Sequence, residues 1–514
     1  MIDPRTPVLI GGGQQTWRGD PLGCPSPRDM MVAVSKLAAT DAGLSEGALS
    51  GVDRVAVVGF TIDAPGDARR FPVPRMANPP KALATALGAA PNTKIYTHMG
   101  GNTPQALVNA TAEAIANGET DFVLIAGAEF LGNLTKRLTK GLTDGLDTWG
   151  IADDEAPTLF GDPRDGCTPH EQKHGLHVPA NVYPMFEGAY RAHLGRDHAT
   201  HMKALGALFS PFSKVAAANP HAWFPTERSA DEIITESPNN RMVGFPYTKY
   251  LNSIIQVDQA GAVLMASYAK AKELGVADDK MVFLHGCADT HELWNPLDRV
   301  NYYSSPAIGT CAREAFAMAG KTVAEMDFFD IYSCFPIAVE LACNEIGIAH
   351  DDPRGLTLTG GLPYFGGPGN NYVMHSIVEA LNRARAKPGT FGLVTANGWF
   401  LTKHAMGIYS TTPTNPGWAR KNPYDIQKTI DALAHPEIIE APSGPAIIEA
   451  YTVIHDRESY RLAIIIGRDA EGRRFVANTP KEDATYAALE QGEWVGRMGT
   501  VSSADGRNVF VLPR

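Results

Sequence analysis

Side chains capable of acid–base or covalent chemistry fall in four segments, each at a turn between predicted elements. These segments are residues 98–106, 330–336, 360–372 and 397–407. In the first, His98, Gly100 and Gly101 precede a predicted helix, whose free N–H groups and dipole would stabilise an anion or an activated nucleophile. The alternative is a strand-to-helix turn that needs glycine only for its backbone angles.

The second segment places Tyr332, Ser333 and Cys334 on a turn between a buried strand and a helix. A helix N-terminus lowers the pKa of a nearby thiol, which makes Cys334 a candidate proton-transfer group. The alternative is that Cys334 is a small buried apolar residue, as most free cysteines are.

The last two segments offer hydrogen-bond donors. Gly366 and Gly367 belong to a glycine-rich loop that lets a ligand approach the backbone, and the loop lacks the Gly-Lys-Ser/Thr of a Walker phosphate site. Asn397 is a candidate donor to a developing oxyanion. His404 is either an acid–base group or a histidine whose hydrogen bonds are satisfied in the core.

A metal site is the rival interpretation for a histidine-rich stretch. Cys167, His170, His174 and His177 have a spacing that would let the two central histidines share a metal on a helix. The HExxH pattern is absent and the stretch is predicted to be a loop, so the sequence predicts no metal.

Composition excludes several classes of protein. The 514 residues are 44% hydrophobic and 20% charged, which is typical of folded domains and not of a disordered chain. Lys plus Arg number 45 and Asp plus Glu 56, so the net charge of −11 argues against binding to nucleic acid or to an anionic membrane. Six dispersed cysteines predict no disulfide framework, and neither a signal peptide nor a membrane span is evident. We therefore predict a soluble, cytoplasmic protein.

Apolar runs and helical periodicity alternate along the chain, which predicts an α/β fold with a parallel or mixed sheet. The expected strands are 8–12, 54–60, 121–129, 281–288, 327–335 and 390–398, and the expected helices are 27–42, 103–118, 261–275, 304–320, 337–348 and 372–385. Residues from about 131 to 250 are predicted to form a helical insertion. After about residue 437, closely spaced short strands predict a small β-barrel.

Read together, these segments resemble the thiolase superfamily, and in particular its sterol-carrier-protein-type members, over about residues 6–425. GNTPQALVNATAEAIANGETDFVLIAGAE resembles the helix that carries the nucleophile, and FFDIYSCFPIAVELACNEIGI resembles the family's HDCF element. GGLPYFGGPGNNY and LVTANGWF are similar to its GHP loop and its late cysteine loop. The tail IIEAYTVIHDRESYRLAIIIGRDAEGRRFVANT resembles an OB-fold partner subunit of thiolase-like aldolases.

The resemblance implies a fold and its boundaries. It implies two βαβαβαββ halves in a five-layer αβαβα stack, with a hollow centre that accepts the pantetheine arm of coenzyme A. We expect a first half at 1–275 with a loop insertion at 131–250, a second half at 276–430, and an OB-like domain at 437–514. Because family members are at least dimers, a homodimer is expected unless the tail covers that surface.

The same alignment of motifs implies that the catalytic side chains of the family have been replaced. Gly100 stands where the nucleophilic cysteine is expected, Gly367 at the loop histidine, and Asn397 at the late cysteine. Tyr332 and Ser333 stand at the His and Asp positions of the HDCF element, whereas Cys334 matches its cysteine.

Three functions follow as expectations. The first is an acyl-CoA-acting acyltransferase or C–C lyase of lipid metabolism, in which Cys334, Tyr332, His98 and His404 move protons and Asn397 holds the thioester oxygen. Gly100, Gly101, Ser333, Gly366 and Gly367 would then contact the substrate, with coenzyme A as a substrate moiety and no separate cofactor. The second is a catalytically silent acyl-CoA-binding or scaffold protein. The third is a retro-aldolase acting on a β-hydroxyacyl-CoA.

Overall fold

The computed structural model describes residues 2–64, 71–457 and 459–513. Fourteen α-helices lie within these ranges: α1 Pro27–Asp41, α2 Pro79–Ala86, α3 Thr103–Ala116, α4 Leu131–Lys140, α5 Pro169–Lys173, α6 Pro179–His193, α7 His198–Ala218, α8 Ala230–Ile234, α9 Tyr268–Glu273, α10 Pro306–Ala319, α11 Pro336–Ile346, α12 Tyr372–Ala386, α13 Pro423–Asp431 and α14 Asp483–Gln491.

Seventeen strands complete the described secondary structure. They are β1 Pro7–Thr16, β2 Arg54–Val57, β3 Thr93–Thr97, β4 Phe122–Phe130, β5 Thr158–Phe160, β6 Met242–Gly244, β7 Tyr247–Thr248, β8 Asp258–Ser267, β9 Val282–His291, β10 Phe328–Asp330, β11 Phe391–Gly398, β12 Lys403–Ser410, β13 Gly444–His455, β14 Tyr460–Asp469, β15 Arg474–Asn478, β16 Met498–Ala504 and β17 Arg507–Val511.

Nine of these strands, together with β5 of the insertion, form one ten-stranded sheet made of two similar groups. The sheet order is β10-β11-β12-β9-β1-β8-β4-β2-β3-β5. In the first half β2 and β4 are parallel, and β8 runs antiparallel to both β4 and β1. In the second half β10 and β11 are parallel, and β12 runs antiparallel to both β11 and β9. The matching patterns join where β1 and β9 pair antiparallel, which confirms the predicted doubled α/β fold.

Successive side chains of β1 belong to two different hydrophobic cores, one on each face of the sheet. Val8 and Ile10 pack in a core with side chains of α1 and α2, whereas Leu9 points to the opposite core, which contains α3, α12 and the second half. Successive side chains of a strand point to opposite faces, so a continuous apolar run such as that of β1 must be covered on both sides. Helices α3 and α12 therefore lie between the strand groups, where the site residues converge.

The prediction of a helix over 261–275 was wrong for most of that range. Residues 258–267 form β8, buried along its whole length between β4 and β1, and only Tyr268–Glu273 is helical. A run of small and apolar residues buried on both faces does not show the period of either element, so periodicity could not separate strand from helix.

The insertion between β4 and β8 is mainly helical, as predicted, and its short strands attach it to two other parts of the protein. Strand β5 adds to the edge of the large sheet beside β3. Strand β6 pairs with β13 of the tail. Among the helices of the described ranges, none is both long and apolar enough to cross a bilayer.

The tail confirms the predicted β-barrel. Its strands follow the order β14-β15-β17-β16-β13, and β13 pairs again with β14 to close the ring. Closure removes the exposed edges that an open sheet would present. Helix α14, between β15 and β16, was not predicted.

Arg474 links this barrel to the second half through hydrogen bonds. Its side chain is fully buried, and its guanidinium donates to Glu449 at 2.6 and 2.8 Å and to the carbonyl oxygen of Leu297 at 2.8 Å. It also lies over the ring of Tyr302, 4.8 Å from the centroid. Since Leu297 and Tyr302 belong to the segment between β9 and α10, one cation links the barrel to the sheet domain.

We expect Arg474→Met to lower the free energy of unfolding by about 1–3 kcal/mol, because it removes the buried donor to the carbonyl oxygen of Leu297, while Glu449 keeps Arg468 as a partner. Urea unfolding followed by circular dichroism measures this change. Arg473→Ala is the control, since Arg473 pairs with Asp469 on a more exposed face and should cost about 1 kcal/mol or less. Equal losses for the two variants would contradict this role for Arg474.

Candidate functional site

The predicted site residues lie on segments that converge at the N-termini of helices. Gly100 and Gly101 precede α3, residues 332–334 connect β10 to α11, and residues 366–367 precede α12 by a short loop. Asn397 lies near the end of β11, and His404 lies in the adjacent β12, opposite Asn397 in the strand register. The doubled fold therefore brings together segments that are far apart in sequence.

Asn397 is at the centre of the contacts. Its Nδ2 donates to the hydroxyl oxygen of Tyr183 at 2.8 Å and lies 3.8 Å from Sγ of Cys334. The Tyr183 hydroxyl in turn donates to the carbonyl oxygen of Trp399 at 2.9 Å. Tyr183 comes from α6 of the insertion, and the sequence contained no signal that would have singled it out.

Burial keeps the titratable groups of this centre neutral. It raises the pKa of Cys334 to about 12 and raises the pKa of Tyr332 well above its usual value. It lowers the pKa of His404 to about 3, and Nε2 of that ring lies 3.2 Å from the carbonyl oxygen of Leu401, which it can only reach as a donor. These side chains can therefore donate hydrogen bonds near neutral pH, but none is present as a ready base.

The side chain of Lys403 occupies the space beside Gly100. A Cβ atom at Gly100 would lie 2.9 Å from Cε and 3.1 Å from Nζ of Lys403, and 2.5 Å from Oδ1 of Asn102. Gly100 also has φ of +154°, which disfavours any side chain. Lys403 thus fills the space that a nucleophile at position 100 would need. It was not among the predicted site residues.

Side chains from other segments also occupy the space beside the other glycines of the site. A Cβ at Gly101 would lie 2.5 Å from the hydroxyl oxygen of Tyr332, and one at Gly367 would lie 2.2 Å from Oγ of Ser253. Gly366 has φ of +111° and packs against Gln259. Ser333 is fully buried beside Gly361. A side chain as large as imidazole has no room at position 367.

The predicted hollow centre is consequently filled. A cavity of about 10 Å³ remains beside Tyr332, Asn397 and His404, which is room for about one water molecule. His98 lies apart from this centre and lines a different cavity of about 260 Å³ with Tyr96 and Trp399.

A larger cavity reaches the site from the N-terminus of α3. It has a volume of about 570 Å³, and its buried part includes Thr103 and Lys403, next to Asn102. Trp294 and Tyr424 line its wall. A second cavity of about 880 Å³ lies between the insertion and the barrel and includes Tyr303. The volume of each falls in the range of small-molecule sites.

The histidines weighed as metal ligands have another role. Nε2 of His174 accepts from the backbone N–H of Asn508, and Nδ1 of His174 lies 2.9 Å from the carbonyl oxygen of His170. Both ring nitrogens of His174 are thus engaged, Nδ1 with α5 and Nε2 with the barrel.

Glu129, at the end of β4, packs against the glycine-rich loop at Gly369. Its Oε1 accepts from the backbone N–H of Thr61 at 2.6 Å, and a Cβ at Gly369 would lie 2.7 Å from that oxygen. Burial raises the pKa of Glu129 to about 8 from an ordinary value of 4.5.

Comparison with known proteins gives matches to the whole chain and to its tail. The family model described as the thiolase-like protein type 1 additional C-terminal domain matches residues 425–507. The crystal structure of a monomeric SCP2-thiolase-like protein type 1 from Mycobacterium smegmatis is 37% identical, with 100% of both chains covered and a TM-score of 0.85.

More distant matches share the fold. The Ltp2–ChsH2(DUF35) aldolase structure is 18% identical, covers 80% of this chain and 99% of its own, and has a TM-score of 0.56. The acetyl-CoA acetyltransferase of Methanothermobacter thermautotrophicus is 23% identical over 249 residues, which are 48% of this chain and 56% of that protein. The chain therefore spans little more than half the length of that curated relative.

We expect Glu129→Gln to stabilise the protein increasingly as the pH rises from 5 to 8. The pKa of Glu129 is higher in the folded than in the unfolded state, so its contribution to stability is complete below pH 4.5 and is lost as the pH rises toward 8. The loss amounts to about 1.4 kcal/mol for each pH unit between the two values, and glutamine does not ionise.

Unfolding free energies of Glu129→Gln and the unmodified protein, measured in urea at several pH values, test this expectation. Glu119→Gln is the matched control, because the Glu119 side chain is 58% exposed. A stability difference that stays constant or shrinks between pH 5 and 8 would show that Glu129 is ionised in the folded protein.

Proposed function

The chain belongs to the SCP2-thiolase-like protein type 1 family, and from this membership we propose that it binds acyl-CoA thioesters without forming an acyl-enzyme. The resemblance to the thiolase superfamily inferred from its motifs is thereby confirmed.

The observation that carries the proposal is the position of Lys403. Thiolysis through a covalent intermediate needs a nucleophile whose side chain reaches the acyl carbon. Position 100 has no side chain, and Lys403 takes up the adjoining space. Cys334, the remaining thiol of the site, is engaged with Asn397 and has a pKa of about 12, so it is not the thiolate that the reaction requires.

The cavity at the N-terminus of α3 is the proposed binding site. Its volume of about 570 Å³ suits an acyl-pantetheine arm, and Trp294 and Tyr424 offer aromatic surface along it. The thioester would lie in the buried part, near Asn102, Thr103 and Lys403. The adenosine part would extend into solvent through the open side of the cavity.

A one-step C–C lyase is the second candidate. Tyr332 in place of the HDCF histidine and the barrel fused to the same chain both favour it, since the chain also shares its fold with a structure described as an aldolase. In that case the carbonyl oxygen would occupy the water-sized space beside Tyr332 and Asn397, and the neutral hydroxyl and amide groups of these residues would donate hydrogen bonds to it. A panel of β-hydroxyacyl-CoA compounds with product mass spectrometry distinguishes cleavage from binding alone.

We expect saturable binding of acetyl-CoA by calorimetry and no thiolysis when acetoacetyl-CoA and CoA are mixed with the protein. Tyr424→Ala should weaken binding by roughly tenfold, because it removes aromatic surface from the wall of the cavity. The ring is 81% exposed, so its removal costs no core packing. Tyr303→Ala is the matched control, since Tyr303 lines the cavity beside the barrel. Loss of binding in the Tyr303 variant alone would move the site to that cavity, and thiolysis would refute the proposal.

Gly100→Cys should not restore thiolysis. The new Cβ would meet Asn102 and Lys403 at distances that require both to move. Loss of thioester absorbance of acetoacetyl-CoA in the presence of CoA measures the activity. Thiolase activity in this single variant would contradict the inference that Lys403 closes the nucleophile position.

A further inference from the structure

Lys403 follows a strained turn. Trp399 and Leu401 have φ of 56° and 52°, and within the described ranges only one other non-glycine residue, Asp505, has positive φ. Such a backbone costs free energy for large side chains and persists where the surroundings enforce it, most often at functional sites. Here Arg299 enforces it, since its guanidinium donates to the carbonyl oxygens of Leu401 and Phe400 at 2.9 and 3.0 Å.

The turn directs the amine of Lys403 into a place without a counter-ion. Nζ donates to the carbonyl oxygens of Met99 and, at 3.5 Å, Asp162. In the part of the chain that the structure describes, no carboxylate lies within ion-pair distance of it. A buried ammonium is normally paired with an acid, so this amine is poorly suited to carry a charge.

The charged groups around Nζ shift the pKa of Lys403 in opposite directions. Arg164 lowers the pKa of Lys403, the carboxylate of Asp162 raises it, and His291 lines the same cavity from the neighbouring strand β9. The N-terminus of α3 adds the positive end of its dipole. Burial dominates, and the pKa of Lys403 falls to about 8. A substantial fraction of the amine is therefore neutral and nucleophilic near physiological pH.

Ligands can reach this amine through the cavity already described. Lys403 belongs to its buried part with Thr103, next to Asn102, while Trp294 and Tyr424 line the approach. The exposed fraction of Lys403 is only 6%, so reagents in solution have little access to it except along this route. The arrangement combines a neutral amine, a strained support and a path for a small molecule.

We infer that Lys403 is a carbonyl-reactive residue that forms a reversible imine with an aldehyde or ketone ligand in this cavity. Nζ adds to the carbonyl carbon to give a neutral carbinolamine. Its hydroxyl takes a proton from solvent and leaves as water, and the resulting iminium returns its N–H proton to solvent, so that a C=N bond replaces the C=O bond. Water reverses the reaction and returns the free amine. The inference shares its cavity with the proposed acyl-CoA site and rests on that proposal only for the identity of a 3-oxoacyl thioester as ligand.

Reductive trapping tests the inference with a small ketone. The protein is incubated with acetone and cyanoborohydride at pH 7.5, and modified lysines are identified by peptide mass spectrometry. Hydride transfer to the imine carbon gives a stable secondary amine. We expect Lys403 to be modified at least about tenfold faster than Lys421, with saturation in ketone, because the lower pKa leaves far more free amine at this pH. Lys421 is the control because its side chain is 52% exposed.

Two further arms decide between a reactive and a purely structural Lys403. In Lys403→Met the fast adduct should vanish while modification of Lys421 is unchanged, and circular dichroism verifies that this variant folds. Modification that follows exposure, with Lys403 slower than Lys421, would overturn the inference. Acetyl-CoA should slow the trapping of Lys403. If trapping is fast but acetyl-CoA has no effect, the imine inference stands and the proposed acyl-CoA site fails.

Discussion

The insertion of the Lys403 side chain beside Gly100 is the interaction on which the rest of the site depends. It places a cation without a counter-ion against the N-terminus of α3, where the helix dipole and the loss of hydration both disfavour positive charge. The protein accommodates it by two carbonyl acceptors and by a strained turn held by Arg299. Filling the space beside Gly100 and lowering the pKa of the lysine are two consequences of the same packing.

The glycines of the site share one structural feature. The motif resemblance predicts that these glycines stand at or next to functional positions of the thiolase superfamily. Each is packed against a residue from another segment: Gly100 against Lys403, Gly101 against Tyr332, and Gly367 against Ser253. The centre is therefore close-packed, and a ligand has to approach from the cavity at α3. Neutral donors such as Asn397 and Tyr183 then fix the turn that carries Trp399 and Lys403.

Much of the fold could be predicted from the sequence because its signals are local. Helix α1 begins at Pro27 as expected, the helices at 103–116 and 336–346 follow their periodicity, and the closely spaced strands of the tail form the barrel. Strand β8 was mistaken for a helix because it is apolar on both faces. Lys403 was missed because a lysine after a turn is normally solvated, and its burial depends on the empty space at a glycine 303 positions earlier. Sequence patterns do not reveal such long-range complementarity.

The ionisation of Lys403 tests this account most directly. Protein labelled with ¹³C at the ε carbon of lysine can be titrated by NMR between pH 6 and 11, and the resonance missing from the spectrum of Lys403→Arg identifies Lys403. The account predicts a midpoint near 8 for this resonance. A midpoint at about 10.4, the ordinary value for lysine in water, would show that the side chain lies in solvent and that the space beside Gly100 is open.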